Sequence, residues 1–149
     1  MAANSKTDVW ETALLNLVFK NTDCTLIGDA GGLRGSVTPG SLYISLHTAD
    51  PTDTGIQTSS EAAYVGYARV AVTRGAGFTV TGGSVSPTAN IDFGECTATP
   101  GTAITHFGIG TDASGGAGKL LYCGTVTSNI TMAVGVIPRL TTATAVTED

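Results

Sequence analysis

Leu42-Tyr43-Ile44-Ser45-Leu46-His47-Thr48-Ala49-Asp50-Pro51 is the stretch on which the fold turns. Leu42, Ile44 and Leu46 alternate with Tyr43, Ser45 and His47, and a period of two places one set in a core and the other on the opposite face of a strand. A helix would need its apolar residues three and four apart. The turn-forming run from Asp50 to Gly55, with Pro51 inside it, stops the strand.

Downstream the same period recurs. Residues 67–73 alternate with Val70 and Val72 on one face, Arg74-Gly75-Ala76-Gly77 breaks the run, and Phe78 to Thr81 resumes it before Gly82-Gly83. Ile91 and Phe93 close a further strand. Ala103, Thr105, Phe107 and Ile109 share one face of the next, with His106 on the other. After the Gly/Ser-rich loop 112–118 come Leu120, Tyr122 and Val126, then Ile130, Met132 and Val134 as a separate strand. Pro138 limits pairing and suggests an edge or bulge. From Leu140 to Val146 apolar residues or Ala alternate with Thr. About eight short strands between Gly-rich turns predict an all-β fold, a β-sandwich with the jelly roll among its variants.

Upstream lies the one helical pattern. Asp8 reads as an N-cap with Glu11 completing a capping box. Trp10, Ala13, Leu14, Leu17 and Val18 form an apolar stripe, and Lys20-Asn21 suits a C-terminus. Leu15 and Phe19 lie off that stripe and predict a second apolar face, free to meet another subunit. The expected organisation is a single domain over residues 1–149, with an N-terminal helix at 7–21 and the sandwich at 41–147.

Charge narrows the possible partners. Only 13% of the 149 residues are charged, against roughly 25% in an average soluble chain. A surface so poor in charge suits burial against neighbours, because a charge at an interface must be paired or desolvated at a cost. The formal net charge is −5 and the seven Lys and Arg form no cluster, which argues against nucleic acid, whose binding rests on basic patches. Cys24, Cys96 and Cys123 are odd in number and widely spaced, so free thiols are expected. Residues 1–6 are polar, with no secretory signal, and no stretch approaches the ~20 apolar residues of a membrane span.

A search for chemistry finds no catalytic, cofactor or metal set. The spacing before Lys119 fails a phosphate loop at Ala113 and Leu120. His47 and His106 have no acidic or Cys neighbour two residues away, so they read as solvent- or interface-facing residues. Asp50 and Asp53 suit Asx turns better than a calcium loop. Asp92 and Glu95, beside Gly94, suit a turn better than a glycosidase pair. Tyr43, Tyr64, Tyr67 and Tyr122 are the available rings for a sugar platform, although packing uses Tyr in the same way.

The opening decapeptide, Gly66-Tyr67-Ala68-Arg69, Ile104-Thr105-His106-Phe107-Gly108-Ile109 and Lys119-Leu120-Leu121-Tyr122-Cys123-Gly124 occur together in this order. In this the chain resembles a family of small tailed-phage virion proteins, often labelled tail-fibre or minor-tail proteins, from about residue 8 onward. The resemblance implies a structural, non-enzymatic role. Proteins of this size and architecture also serve as capsid cement, so the leading expectation is a cement or decoration protein on the outer capsid. Its partners would be the major capsid protein and copies of itself in a dimer or trimer, with the host cytoplasm as the place of assembly. A tail or tail-fibre subunit is the alternative, and a carbohydrate-binding module for host attachment a third. Leu15 and Phe19 on the helix, and Arg34 in the Gly-rich insert 29–35, are the expected interface residues.

Overall fold

The computed structural model describes residues 6–27, 32 and 35–148. The chain is all-β apart from one short N-terminal helix, as the period-two patterning predicts. Helix α1 spans Asp8–Leu15 and runs on as a π-helical turn, Asn16–Lys20. The strands of the described residues are β1 (Ser41–His47), β2 (Val70–Thr73), β3 (Phe78–Thr81), β4 (Ser84–Pro87), β5 (Ile91–Asp92), β6 (Ile104–Gly110), β7 (Leu120–Ile130), β8 (Arg139–Leu140) and β9 (Val146–Thr147). They form sheets of order β2-β1-β6-β7, β3-β4-β9 and β5-β8. Contacts divide the chain into two compact units. One holds the described residues through Ser41 with 73–90 and those from Thr141 onward; the other holds 42–72 and 91–140.

In the first unit the helix starts one residue earlier than its capping pattern suggests. Thr7, extended at φ −106°, is the N-cap, and its hydroxyl accepts from Trp10 N–H at 3.4 Å. Asp8 and Glu11 instead lie in the first turn, where their charge suits the positive end of the helix dipole. Asn21 ends the helical segment in the left-handed conformation at φ 58°, as expected of it.

The two faces of the helix are the reverse of what the stripe predicts. Leu15 and Phe19 are completely buried, while Trp10, Ala13, Leu14, Leu17 and Val18 are only partly covered. Phe19 meets the edge of Phe78 on β3 with ring centroids 5.0 Å apart. Because the helix is apolar on more than one face beside the polar stripe of Asp8, Thr12, Asn16 and Lys20, periodicity alone could not choose a face; packing on β3 and β4 chose it. Full burial of residues this size contributes about 1.5–3 kcal/mol each.

Polar anchors hold the far end of this helix. Its last carbonyls have no partners within the helix. Arg74 supplies them, donating from Nε to Val18 O at 2.6 Å and from Nη2 to Leu17 O at 2.7 Å. Lys20 reaches back to Gly75 O and Phe78 O at 2.8 and 2.9 Å.

In the second unit β1 and β6 are central and antiparallel, with Ile44 opposite Ile109 and His47 opposite His106. Ser45 and His47, expected on a wetter face, are fully buried alongside Ile44 and Leu46. Both faces of β1 are therefore covered, and alternation in the sequence reported only chemistry, not exposure. The expected strand through Met132 and Val134 is not formed. Ile130 closes β7, Met132 is buried, and Val134 sits exposed in a turn where Val136 N–H donates to Ala133 O. Pro138 is buried, and its carbonyl accepts from Phe93 N–H at 3.0 Å. The alternating run 140–146 splits between β8 and β9, while β4 was not anticipated.

These packing facts set the cost of truncation. Phe19→Ala should lower the stability of the isolated protein by about 3–5 kcal/mol and Leu15→Ala by about 2–5. Val9→Ala, at an 81% exposed position, should stay within about 0.5 kcal/mol of wild type. Chemical denaturation of the three variants checks the ranking.

Candidate functional site

A part-buried ionic cluster organises the second unit. Glu61 is an isolated acid beside Ala62, Ala63 and Tyr64, and Arg69 is an isolated base entering β2. Each alone would be costly to bury. Together they make a forked pair: Arg69 Nε donates to Glu61 Oε1 at 2.7 Å and Nη2 to Oε2 at 2.8 Å. Tyr67 donates its phenol to the same Oε1 at 2.8 Å and accepts from Leu46 N–H at 3.1 Å. Arg69 also donates to Asp112 O and Gly115 O at 2.9 and 2.8 Å, pinning the Gly/Ser-rich loop 112–118. The hydrogen bond to Glu61 holds the Arg69 pKa above its ordinary value. Burial drives the Tyr67 phenol up, keeping it a donor.

Two further polar residues lock β1 to its surroundings. Gln57, fully buried, donates to Tyr43 O at 3.3 Å and accepts from Asp112 N–H at 3.0 Å. It presses on Gly110, where an added Cβ would lie 2.0 Å from Gln57 Cδ. Only glycine fits there. His47 contacts the Ser59 carbonyl through Nδ1 at 2.8 Å, which fixes that nitrogen as a donor, so Nε2 accepts from the Ser45 hydroxyl at 2.8 Å. Burial lowers the His47 pKa below the ordinary histidine value, and the neutral ring is the form this arrangement uses.

The fold thus brings the two histidines opposite one another, which sequence spacing could not show. His47 faces neither solvent nor a partner as expected; it is a core residue. His106 is half-buried and its Nδ1 lies 2.8 Å from Thr105 Oγ1. Asp50 forms the expected Asx turn, accepting from Thr52 N–H at 2.9 Å. Asp92 is paired with Arg139, which donates from Nη2 at 3.0 Å and holds the carboxyl below its ordinary pKa. Of the four tyrosines, Tyr64 and Tyr67 pack edge to face at 5.4 Å, and Tyr67 stacks on Phe93 at 6.3 Å. Tyr64 donates to Gly94 O at 2.9 Å, and burial pushes its pKa up to about 12. These two rings are core, not platform.

A cavity of about 340 Å³ opens beside the cluster, between Thr48, Tyr64, Thr99, Thr102 and Ile104. Glu61 also lines it, with both carboxylate oxygens already engaged. Among the described residues no group of His, Cys, Asp or Glu could hold a metal, and no helix is long and apolar enough to cross a membrane. Leu15 and Phe19 lie inside the first unit as described, and Arg34 lies outside the described residues. The network of the second unit holds loops and strands in place. What it presents outward is β7, eleven residues long, at the open edge of the β2-β1-β6-β7 sheet.

A charge-poor β protein whose polar side chains serve packing and loop anchoring is of the kind that builds assemblies, and comparison gives that class a name: phage fibre proteins, structural components of the virion. The chain belongs to the family of the podophage GP4 fiber I protein gp80, whose model matches residues 5–147. Among curated proteins no match is found.

Two measurements probe this site. The three thiols are unpaired, Cys24 and Cys96 buried and Cys123 exposed on β7. A maleimide should therefore modify Cys123 alone in the native protein and all three in denaturant. The reaction should need higher pH than an ordinary thiol, since burial and the nearby Asp50 and Asp53 raise the Cys123 pKa. The second measurement concerns His47. Its folded pKa lies below the unfolded value of about 6.5, so stability is complete above that value and falls as pH drops through the window beneath it. Urea midpoints should decline from about pH 6.5 downward, and His47→Gln should flatten this part of the curve.

Proposed function

We propose that this chain is a subunit of the tail-fibre apparatus, acting by protein–protein contact and not by catalysis. The family match over residues 5–147 to a fibre protein carries the reading. Low charge supports it as well, since 13% charged residues leave much of the surface suited to cover by neighbours. The role is mechanical: a rigid sheet, held from within by the Arg69–Glu61 pair, keeps its outer strand in one position for docking. Its partners are neighbouring proteins of the fibre. The cement role expected from size and composition draws no support from the family, whereas the fibre role does.

Location and copy number separate the two roles. Gold-labelled antibody against this chain should decorate the tail of purified particles, and quantitative mass spectrometry should count far fewer copies than of the major capsid protein. Label spread over the head, with copies approaching those of the shell subunit, would replace the fibre reading with the cement one.

A further inference from the structure

The cavity beside the ionic cluster, about 340 Å³ in volume, lies at the lower end of the ~300–1,000 Å³ range of small-molecule sites. That size suits one compact ring unit and not an extended chain. Its lining carries two kinds of surface. Ala62, Tyr64 and Ile104 are buried and give it an apolar back. Thr99 and Thr102 line its exposed side, and Thr48 is half-buried.

Glu61 decides what charge an occupant can bring. Its Oε1 accepts from Arg69 Nε and from the Tyr67 phenol, and its Oε2 accepts from Arg69 Nη2. A carboxylate has about four acceptor sites, so Oε2 keeps one open, and the side chain is 15% exposed toward solvent. Arg69 already balances the charge. A second cation would therefore lose its water without gaining a full counter-charge, and an anion would meet the carboxylate as a like charge. A neutral ligand with O–H donors fits both conditions. Threonine hydroxyls donate and accept, and so match ligand hydroxyls that do the same. Thr48 Oγ1 already donates to Ser60 O at 3.2 Å and retains its acceptor side.

The backbone at the exposed side is strained. Thr99 is β-branched yet held in the left-handed region at φ 49°, with Gly101 at φ 73° two residues on. A β-branched residue there is a steric outlier, and strain of this kind gathers at ligand clamps. We infer that the cavity binds one neutral, polyhydroxylated ring of pyranose size. Its hydroxyls bond Glu61 Oε2 and the threonines, and its C–H face rests on Ala62 and Ile104. Such a ring arrives either as a free sugar or as the terminal unit of a glycan.

The site lies within the second unit, and the inference goes beyond the fibre role without depending on it. Glucose, galactose and mannose are titrated into the full chain, and amide NMR signals are followed. At least one of them should shift the signals of 61–64 and 99–102, with a dissociation constant on the order of 1 mM. The matching uronic acid and amino sugar should bind more weakly. Thr102→Val removes a hydroxyl at nearly constant shape and should weaken binding about fivefold. Ala63→Trp fills the cavity from its exposed lining and should abolish binding. Both positions are exposed, so both variants should melt like wild type. A methyl glycoside that binds as well as the free sugar assigns the site to a glycan terminus; one that does not assigns it to the free sugar. The proposal is overturned by the absence of any shift at tens of millimolar, by shifts that map elsewhere, by preference for a charged sugar, or by variants that bind like wild type. A cavity that binds no sugar, in a chain located on the fibre, sinks this inference and spares the fibre role.

Discussion

The Arg69–Glu61 ion pair is the constraint on which the second unit depends. Removing either partner of this part-buried pair leaves the other charge without its hydrogen-bonded counter-ion, which is destabilising. The geometry is closely tied: the guanidinium fork holds both carboxylate oxygens, Tyr67 adds a third hydrogen bond, and two further N–H groups clasp two carbonyls of the loop 112–118. One side chain thus ties the segment after β1, the start of β2 and the loop before β7. The loop is rich in glycine and would be costly to order by itself. Its order is supplied by a residue more than forty positions earlier in the chain.

The same economy governs the other cations. Lys6 pairs with Glu148, Lys20 satisfies two carbonyls, Arg74 caps the helical segment and Arg139 pairs with Asp92. Five of the seven Lys and Arg thus have partners within the chain, of which Arg139 remains exposed, as does Lys119. This explains in structural terms why low charge and a role in assembly go together here. Most of the cations thus serve to hold this chain in shape, and uncharged Thr, Ser and Gly make up much of what faces outward.

The strands were legible because alternation is local: Leu42, Ile44 and Leu46 enter the core as read, and Val70 and Val72 share the better-covered face of β2. What sequence could not supply was the second covering layer. Ser45 and His47 read as outward because they are polar, yet their hydrogen bonds to one another and to Ser59 let them be buried. A lone Glu and a lone Arg in apolar company were a signal that a pair was needed, but not of who pairs with whom. The family resemblance was carried by short segments, and Gly66-Tyr67-Ala68-Arg69 among them proves to contain half of the ionic cluster. On the helix the stripe failed because more than one face is apolar, and only β3 and β4 could decide between Trp10 and Phe19.

The π-helical turn at Asn16–Lys20 also bears on how such a chain tolerates change in length. A π-turn accommodates one residue more than the α-helix would hold in the same span, and so records an insertion without breaking the helix. Deleting one residue there would restore α geometry over the same span, so Leu15 and the residues before it would keep their bearing relative to the end fixed by Arg74. A change of one residue in this segment is absorbed where the extra residue sits, and the buried face is carried through unchanged.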